Sequence, residues 1–307
     1  MIYFISGLVR RLRAKVNSLK YFKRDYMYDI GGGVMIKLDS GHALPTYKEK
    51  HINYDRFLPH LVSCINDEDS IVVDIGANYG DTMAALAISN SNLTYICIEA
   101  DIDFYDYLLH NVKCVKSSIP SLTVLPFLAF LGKNIFPTKM EGKSGTKHAV
   151  VSDTNTNERA RIPVMTLSRI IASLHIHPDS VIRLLKTDTD GYDYDAIDAS
   201  QHEIKRFNPI LYFECFFDSD KQLKGYQETL TWLSALDYVN GVVFDNFGGI
   251  ILRSHGTNLL PDIFSLIDYL NKQNKKLTSR TIYYYDICLF TEADHSLVDQ
   301  AIATYYK

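Results

Sequence analysis

The stretch Ile71-Val72-Val73-Asp74-Ile75-Gly76-Ala77-Asn78-Tyr79-Gly80-Asp81-Thr82 decides the fold. Residues 71–75 form an apolar run interrupted only by Asp74, as expected of a strand buried on both faces of a parallel sheet. Gly76 and Gly80 then bracket a tight turn, and GDTMAALAISN (80–90) has the composition of a helix. A strand, a glycine turn and a helix open a doubly wound α/β sheet, whose ligands bind at the carboxyl edge of the strands. Two glycines let backbone approach a ligand closely, and a helix start offers unpaired N–H groups to an anion.

The alternation continues outward from this unit. LTYICIEA (93–100), LTVLPFLAF (122–130), VIRLLKTD (181–188), ILYFEC (210–215), VNGVVFD (239–245) and TIYYYDICLF (281–290) read as further strands, giving seven. Helical patterns fall at 104–113, 164–174, 194–207, 225–238 and 259–273. Such alternation predicts right-handed crossovers and an α/β, doubly wound, mostly parallel sheet. Pro126 predicts a bulge or an irregular end in the third strand. Residues 132–163, polar and rich in Gly, Lys, Thr and Asn, read as a long excursion, with a hairpin in it, at the sheet's rim. Asp245-Asn246-Phe247-Gly248-Gly249 reads as a turn between strand segments. Residues 61–307 fit one domain, with residues 1–60 as an N-terminal cap.

Composition sets bounds. The 307 residues are 47% hydrophobic and 22% charged, which excludes a disordered chain. The longest apolar runs fall well short of ~18 residues, so no membrane-spanning helix is expected. A formal net charge of −4 argues against a global electrostatic grip on nucleic acid. Residues 1–24 nevertheless hold seven Lys and Arg and no acid, and read as a basic amphipathic helix. Its basic face is either solvated, with the helix packed on the body, or laid against an anionic membrane surface. The five cysteines are scattered without a CxxC pair, which fits buried thiols in a reducing, cytoplasmic compartment.

The ligand of the glycine turn can be narrowed. Its spacing is G-x-x-x-G rather than the dinucleotide G-x-G-x-x-G, and Asp74 precedes the first glycine by two residues. A carboxylate there opposes a pyrophosphate and suits a cationic amino group, as in S-adenosylmethionine, whose own carboxylate backbone N–H groups can hold. Glu99, at the end of the second strand, can accept both hydroxyls of a ribose. Nicotinamide enzymes use the same device, so an oxidoreductase and a non-catalytic binding protein stand as alternatives.

DIGANYGDT (74–82), IEADIDFYDYLLHNV (98–112), LLKTDTDGYDYDAI (184–197) and ILYFEC (210–215) together resemble the FkbM family of S-adenosylmethionine-dependent methyltransferases, over about residues 40–252. The resemblance implies a seven-stranded Rossmann-like sheet with its last strand antiparallel. It also implies O-methyl transfer to a hydroxyl of a sugar, in a polysaccharide such as O-antigen or a glycolipid. Carried over, Asp74, Gly76, Ala77, Asn78, Gly80, Glu99 and Ala100 would line the cofactor site, with Asp81 and Thr82 assisting. The sequence departs from the family at Thr189-Asp190-Gly191-Tyr192-Asp193, where a Val-Glu-Gly-type stretch is usual.

Methyl transfer is one in-line displacement on an already electrophilic methyl, so the protein has to align the acceptor and take its proton. Asp188, closing the fourth strand, is the leading base, Glu214 on the fifth strand the second, and His42 in the preceding segment a third. His42 and Tyr47 would belong to a lid over the crevice. Other readings stay open. Asp188 could bond N–H groups of its own turn. Asp188, Asp190 and Glu214 could hold a divalent cation, although no metal is predicted. Lys186 could neutralise the acids beside it.

Overall fold

A computed structural model describes residues 25–67, 69–133, 137–143, 146–151, 162–174, 176–177, 179–276 and 281–306. The basic segment 1–24 lies outside these residues. The described chain starts with a hairpin, β1 (Tyr26–Gly31) and β2 (Val34–Leu38), followed by helices α1 (Leu44–Lys50) and α2 (Phe57–Ser63). Then come β3 (Ser70–Ile75), α3 (Asp81–Ser89), β4 (Thr94–Glu99), α4 (Ile102–Ser118), β5 (Thr123–Leu128) and β6 (Phe130–Leu131). The excursion holds β7 (Pro137–Lys143) and β8 (Thr146–Val151), paired as the expected hairpin. The chain continues through β9 (Val164–Met165), α5 (Leu167–Ser173), β10 (Val181–Thr187), α6 (Asp193–Asp198), α7 (Gln201–Phe207), β11 (Ile210–Cys215) and α8 (Asp220–Ser234). It closes with β12 (Asn240–Asp245), β13 (Ile250–His255), α9 (Leu259–Lys276), β14 (Tyr285–Phe290) and α10 (His295–Tyr305).

The main sheet runs β13-β12-β14-β11-β10-β3-β4-β5. β5, β4, β3, β10 and β11 are parallel neighbours, whereas β14 pairs antiparallel with both β11 and β12. All seven expected strands are in this sheet, and the late strand is antiparallel, as the resemblance implied. The eighth, β13, is an edge strand beyond the Asp245–Gly249 turn, and its half-exposed alternation carries little apolar signal. Pro126 makes no bulge: β5 keeps register with β4 from Thr94↔Thr123 to Glu99↔Leu128. An edge strand needs only one of its hydrogen-bonding sides, so the missing N–H is tolerated. Two helix expectations are also corrected. Residues 164–165 pair with β6 before α5 begins, and the helix expected over 194–207 is two, α6 and α7.

Period-two alternation splits the core into two layers. Val72, Tyr95 and Cys97 pack toward α2, α3, α4 and the N-terminal hairpin; Ile71, Val73, Ile75, Leu185 and Phe213 pack on the other face. Helix α4 shows why one sequence makes one element. Asp101 caps it by accepting the N–H groups of Asp103 (3.0 Å) and Phe104 (3.1 Å), and Phe104, Leu108, Val112 and Val115 bury one stripe. Asn111 on the same helix ties the N-terminal hairpin to the glycine turn. Its Nδ2 donates to the carbonyls of Lys37 (2.9 Å) and Tyr79 (2.8 Å). All five cysteines are free thiols, with Cys97, Cys215 and Cys288 buried in strands.

Candidate active site

Strand order reverses between β3 and β10, and the turns that follow these two strands meet at that switch point. Gly76 and Gly80 take φ of +75° and +80°. A Cβ on Gly76 would sit 2.0 Å from the Asp188 carbonyl oxygen, so only glycine lets the two turns touch. The N–H groups of Gly76 and Ala77 donate to the Ile98 carbonyl at 2.9 and 3.0 Å, and that of Asp188 donates to Ile75 at 3.0 Å. The turn is thereby fixed against the ends of both neighbouring strands.

Two clefts open at this edge. The smaller lies over β3, β4 and β5, with Gly76, Asn78, Glu99 and Ala100 on one side and Ile98, Phe104, Ala129 and Leu131 as an apolar floor. The larger lies over β10, β11 and β14, and brings Ala77, Asp81 and Thr82 together with His42, Asp188 and Glu214. Gly76, Asn78, Asp188 and Asp190 belong to both and form the wall between them.

Glu99 is buried and accepts the N–H of Asn78 at Oε2 and that of Asp101 at Oε1, each at 2.7 Å. Burial raises its carboxyl to about 7 against the pull of those N–H groups. As an acceptor-only group lining the cleft, its carboxylate fits the hydroxyl donors of a ribose diol. The apolar floor suits a nucleoside base, and Lys147, from β8, closes one side of the cleft through ion pairs to Asp101 (2.7 Å) and Asp103 (3.0 Å). These residues fit S-adenosylmethionine.

Asp74 and Gly80 line neither cleft. Lys186 and Asp74 are register partners on adjacent parallel strands, so their side chains share a face; Nζ meets Oδ1 at 2.9 Å. Burial raises the Asp74 carboxyl, with Lys186 opposing. Burial also works against charge on Lys186, but Asp74 and Asp188 outweigh it and hold the ammonium above its ordinary range. Lys186 also reaches Asp188 Oδ2 at 3.6 Å and donates to the Gly76 carbonyl at 3.4 Å. Asp74 therefore holds the lysine that steadies both turns. Gly80 sits at the start of α3, packed on Leu108.

Asp188 has a half-exposed side chain facing the clefts, and does not cap its own turn. That task falls to Asp193, whose Oδ1 accepts Thr187 Oγ1 (2.9 Å) and the Thr189 N–H (3.2 Å) while Oδ2 accepts the Tyr226 hydroxyl (3.1 Å). Glu214 is buried, and burial together with the charges of Asp188 and Asp190 pushes it well above its ordinary range. His42 packs edge-on to Tyr79 at 4.6 Å, and its Nδ1 accepts the Leu44 N–H at 3.3 Å. Asp55, Tyr54, Tyr212, Tyr284 and Asp286 also line the larger cleft, and the motifs pointed to none of them. Burial raises Asp55 to about 7. Among the described residues, no group of three or more His, Cys, Asp or Glu is arranged to hold a metal ion.

Fold and clefts define a doubly wound α/β protein with its ligand crevice at the switch point. The family described as Methyltransferase FkbM domain matches residues 74–239, more than half the chain. The chain belongs to the FkbM methyltransferase family. No curated protein matches the sequence. Among solved structures it is similar to an FkbM methyltransferase from Methylobacillus flagellatus, at 11% identity and a TM-score of 0.39, covering 81% of this chain and 59% of that one. It is similar to an O-methyltransferase from Bacillus cereus solved with SAH, at 10% identity and a TM-score of 0.43, covering 77% and 80% of the two chains. It is also similar to the O-methyltransferase TomG from Streptomyces achromogenes, at 11% identity and a TM-score of 0.42, covering 83% and 92%. These likenesses are distant.

Proposed function

We propose that this chain is an S-adenosylmethionine-dependent O-methyltransferase acting on a hydroxyl of a sugar in a polysaccharide such as O-antigen or in a glycolipid. One observation carries the reading: a cleft with Glu99 and an apolar floor, and a second, larger cleft share the Gly76–Asn78 turn and Asp188 as their common wall. Bound there, S-adenosylmethionine supplies an electrophilic methyl group. Glu99, Asn78 and the apolar floor hold the nucleoside end, while Ala77, Asp81 and Thr82 at the start of α3 face the amino-acid end. Asp188 stands where the two ligands meet and takes the acceptor proton. The Leu44 N–H bond occupies His42 Nδ1, so Nε2 is the ring atom left to meet the acceptor.

Calorimetry of S-adenosylmethionine against NADH tests the cofactor, and mass spectrometry of candidate glycans tests the transfer through a gain of one methyl. Tighter binding of NADH, or tight S-adenosylmethionine binding with no methylated glycan, goes against the corresponding half. We place the protein in the cytoplasm, with residues 1–24 touching the inner face of the membrane. Equal sedimentation with anionic liposomes by the full chain and by a chain starting at Asp25 would remove the membrane contact. Among the described residues no helix is long and apolar enough to cross a membrane.

A further inference from the structure

The larger cleft gathers six carboxyls against one lysine, and burial, which disfavours their charged forms, raises Asp55, Asp190, Glu214 and Asp286. Asp55, Asp81, Asp188, Asp190, Glu214 and Asp286 line it, and its one lysine, Lys186, is already paired with Asp74 and Asp188. Glu214 and Asp286 are direct cross-strand partners of β11 and β14, where like charges destabilise. Asp286 is hydrogen-bonded by Tyr212. Glu214 is only 7% exposed, and its Oε2 has no hydrogen-bond partner. A buried carboxylate oxygen left without a partner, aimed into a cavity, is costly unless a ligand satisfies it.

We propose that the acceptor carries a protonated amine, as a sugar with a free amino group does, and that this ammonium seats between Glu214 and Asp286. The proposal rests on the methyltransferase reading and names the acceptor's charge. An ammonium offers three donors and a full positive charge, which answers both the open Oε2 and the cross-strand repulsion. The rings of Tyr54, Tyr212 and Tyr284 along the same cleft favour a cation over an anion. A phosphorylated or uronic sugar would meet repulsion here, and a neutral one could bond Oε2 through a hydroxyl but would bring no charge to set between Glu214 and Asp286. A divalent metal lacks a third suitably placed ligand among the described residues.

The test uses the whole chain and two probes, the glucosamine trisaccharide with free amines and its N-acetylated counterpart, titrated calorimetrically with and without S-adenosylhomocysteine. The amine form should bind at least about tenfold more tightly. That preference should vanish in Glu214→Gln and fall in Asp286→Asn, while both variants bind S-adenosylhomocysteine as the unaltered protein does, which shows them folded. Equal or reversed preference, binding of neither probe, or a preference that survives both substitutions overturns the proposal. So does Mg²⁺ binding abolished by Glu214→Gln, which would place a metal between the acids. Failure of S-adenosylhomocysteine to bind overturns the methyltransferase reading instead, and the probe preference is still read without it.

Discussion

Replacing Lys186 by Met tests how the glycine turn is held. Lys186 is 4% exposed and Asp74 1%, with Nζ 2.9 Å from Oδ1. At an effective dielectric constant near 20, that separation gives an attraction of about 6 kcal/mol, set against a desolvation penalty of several kcal/mol for each ion. The intact pair thus comes out near balance. Removing one member does not, because it leaves Asp74 buried and charged, at about 3–5 kcal/mol. Against a typical domain stability of about 5–15 kcal/mol, Lys186→Met should unfold at a much lower urea concentration. The loss should be smaller at pH 5 than at pH 8, since a lone buried Asp74 escapes by taking a proton. The double variant Asp74→Asn/Lys186→Met removes both charges at similar volume and should recover at least half of the loss. Urea titrations followed by circular dichroism and by Trp232 fluorescence read all three proteins. A single variant less than about 1 kcal/mol weaker at pH 8, or a double variant as weak as the single, would refute the argument.

Further predictions follow from the same geometry. Glu99→Ala removes a charged acceptor of ribose hydroxyls and should weaken S-adenosylmethionine by roughly 10- to 100-fold in calorimetry, at about 1.5–3 kcal/mol; unchanged affinity would exclude that role. Gly76→Ala forces a Cβ against the Asp188 carbonyl and should lower both Tm and donor affinity sharply. Gly33→Ala, at φ +77° but with open space around it, should carry only the strain of about 1–2 kcal/mol, and equal effects of the two would count against the close approach. The ligand-free protein should be more stable at pH 5 than at pH 8. Asp55, Glu99, Asp190 and Asp193 sit near 7 when folded but near 4 when unfolded, so the folded state holds more protons between those limits and loses stability as pH rises through them. His60, lowered chiefly by burial, opposes this within the window, and Asp25, held low by Lys37, opposes it below pH 5. A Tm that climbs steadily from pH 5 to 8 would contradict this.

The sheet was readable because its inner strands are buried on both faces and show as unbroken apolar runs. Its edge was not: β13 alternates half-buried and exposed residues, and its pairing is set by a neighbour distant in sequence. The hairpin of β1 and β2 had a readable signal, Gly31-Gly32-Gly33 between alternating residues, but the strongly basic start drew residues 1–60 into a single cap. In the site, Gly76 and Glu99 line the smaller cleft because local backbone chemistry places them there, whereas Gly80, in the same motif as Gly76, lines neither cleft. Asp74 was legible as special and misjudged in its contact: its register partner Lys186 becomes its neighbour only when β10 lies beside β3. Asp55 and Asp286 carry no local motif, since they meet Glu214 only through tertiary packing.

The position of β14 has a consequence for how the molecule comes into being. The Gly76 turn and Glu99 are complete within one short stretch of consecutive elements, whereas Asp286 arrives on a strand that must slide between two already made, β11 and β12. A chain emerging from the ribosome carries the Gly76 turn and Glu99 early, while the Glu214–Asp286 side of the larger cleft forms only after that gap is filled. The larger cleft is thus complete only once strands distant in sequence have met.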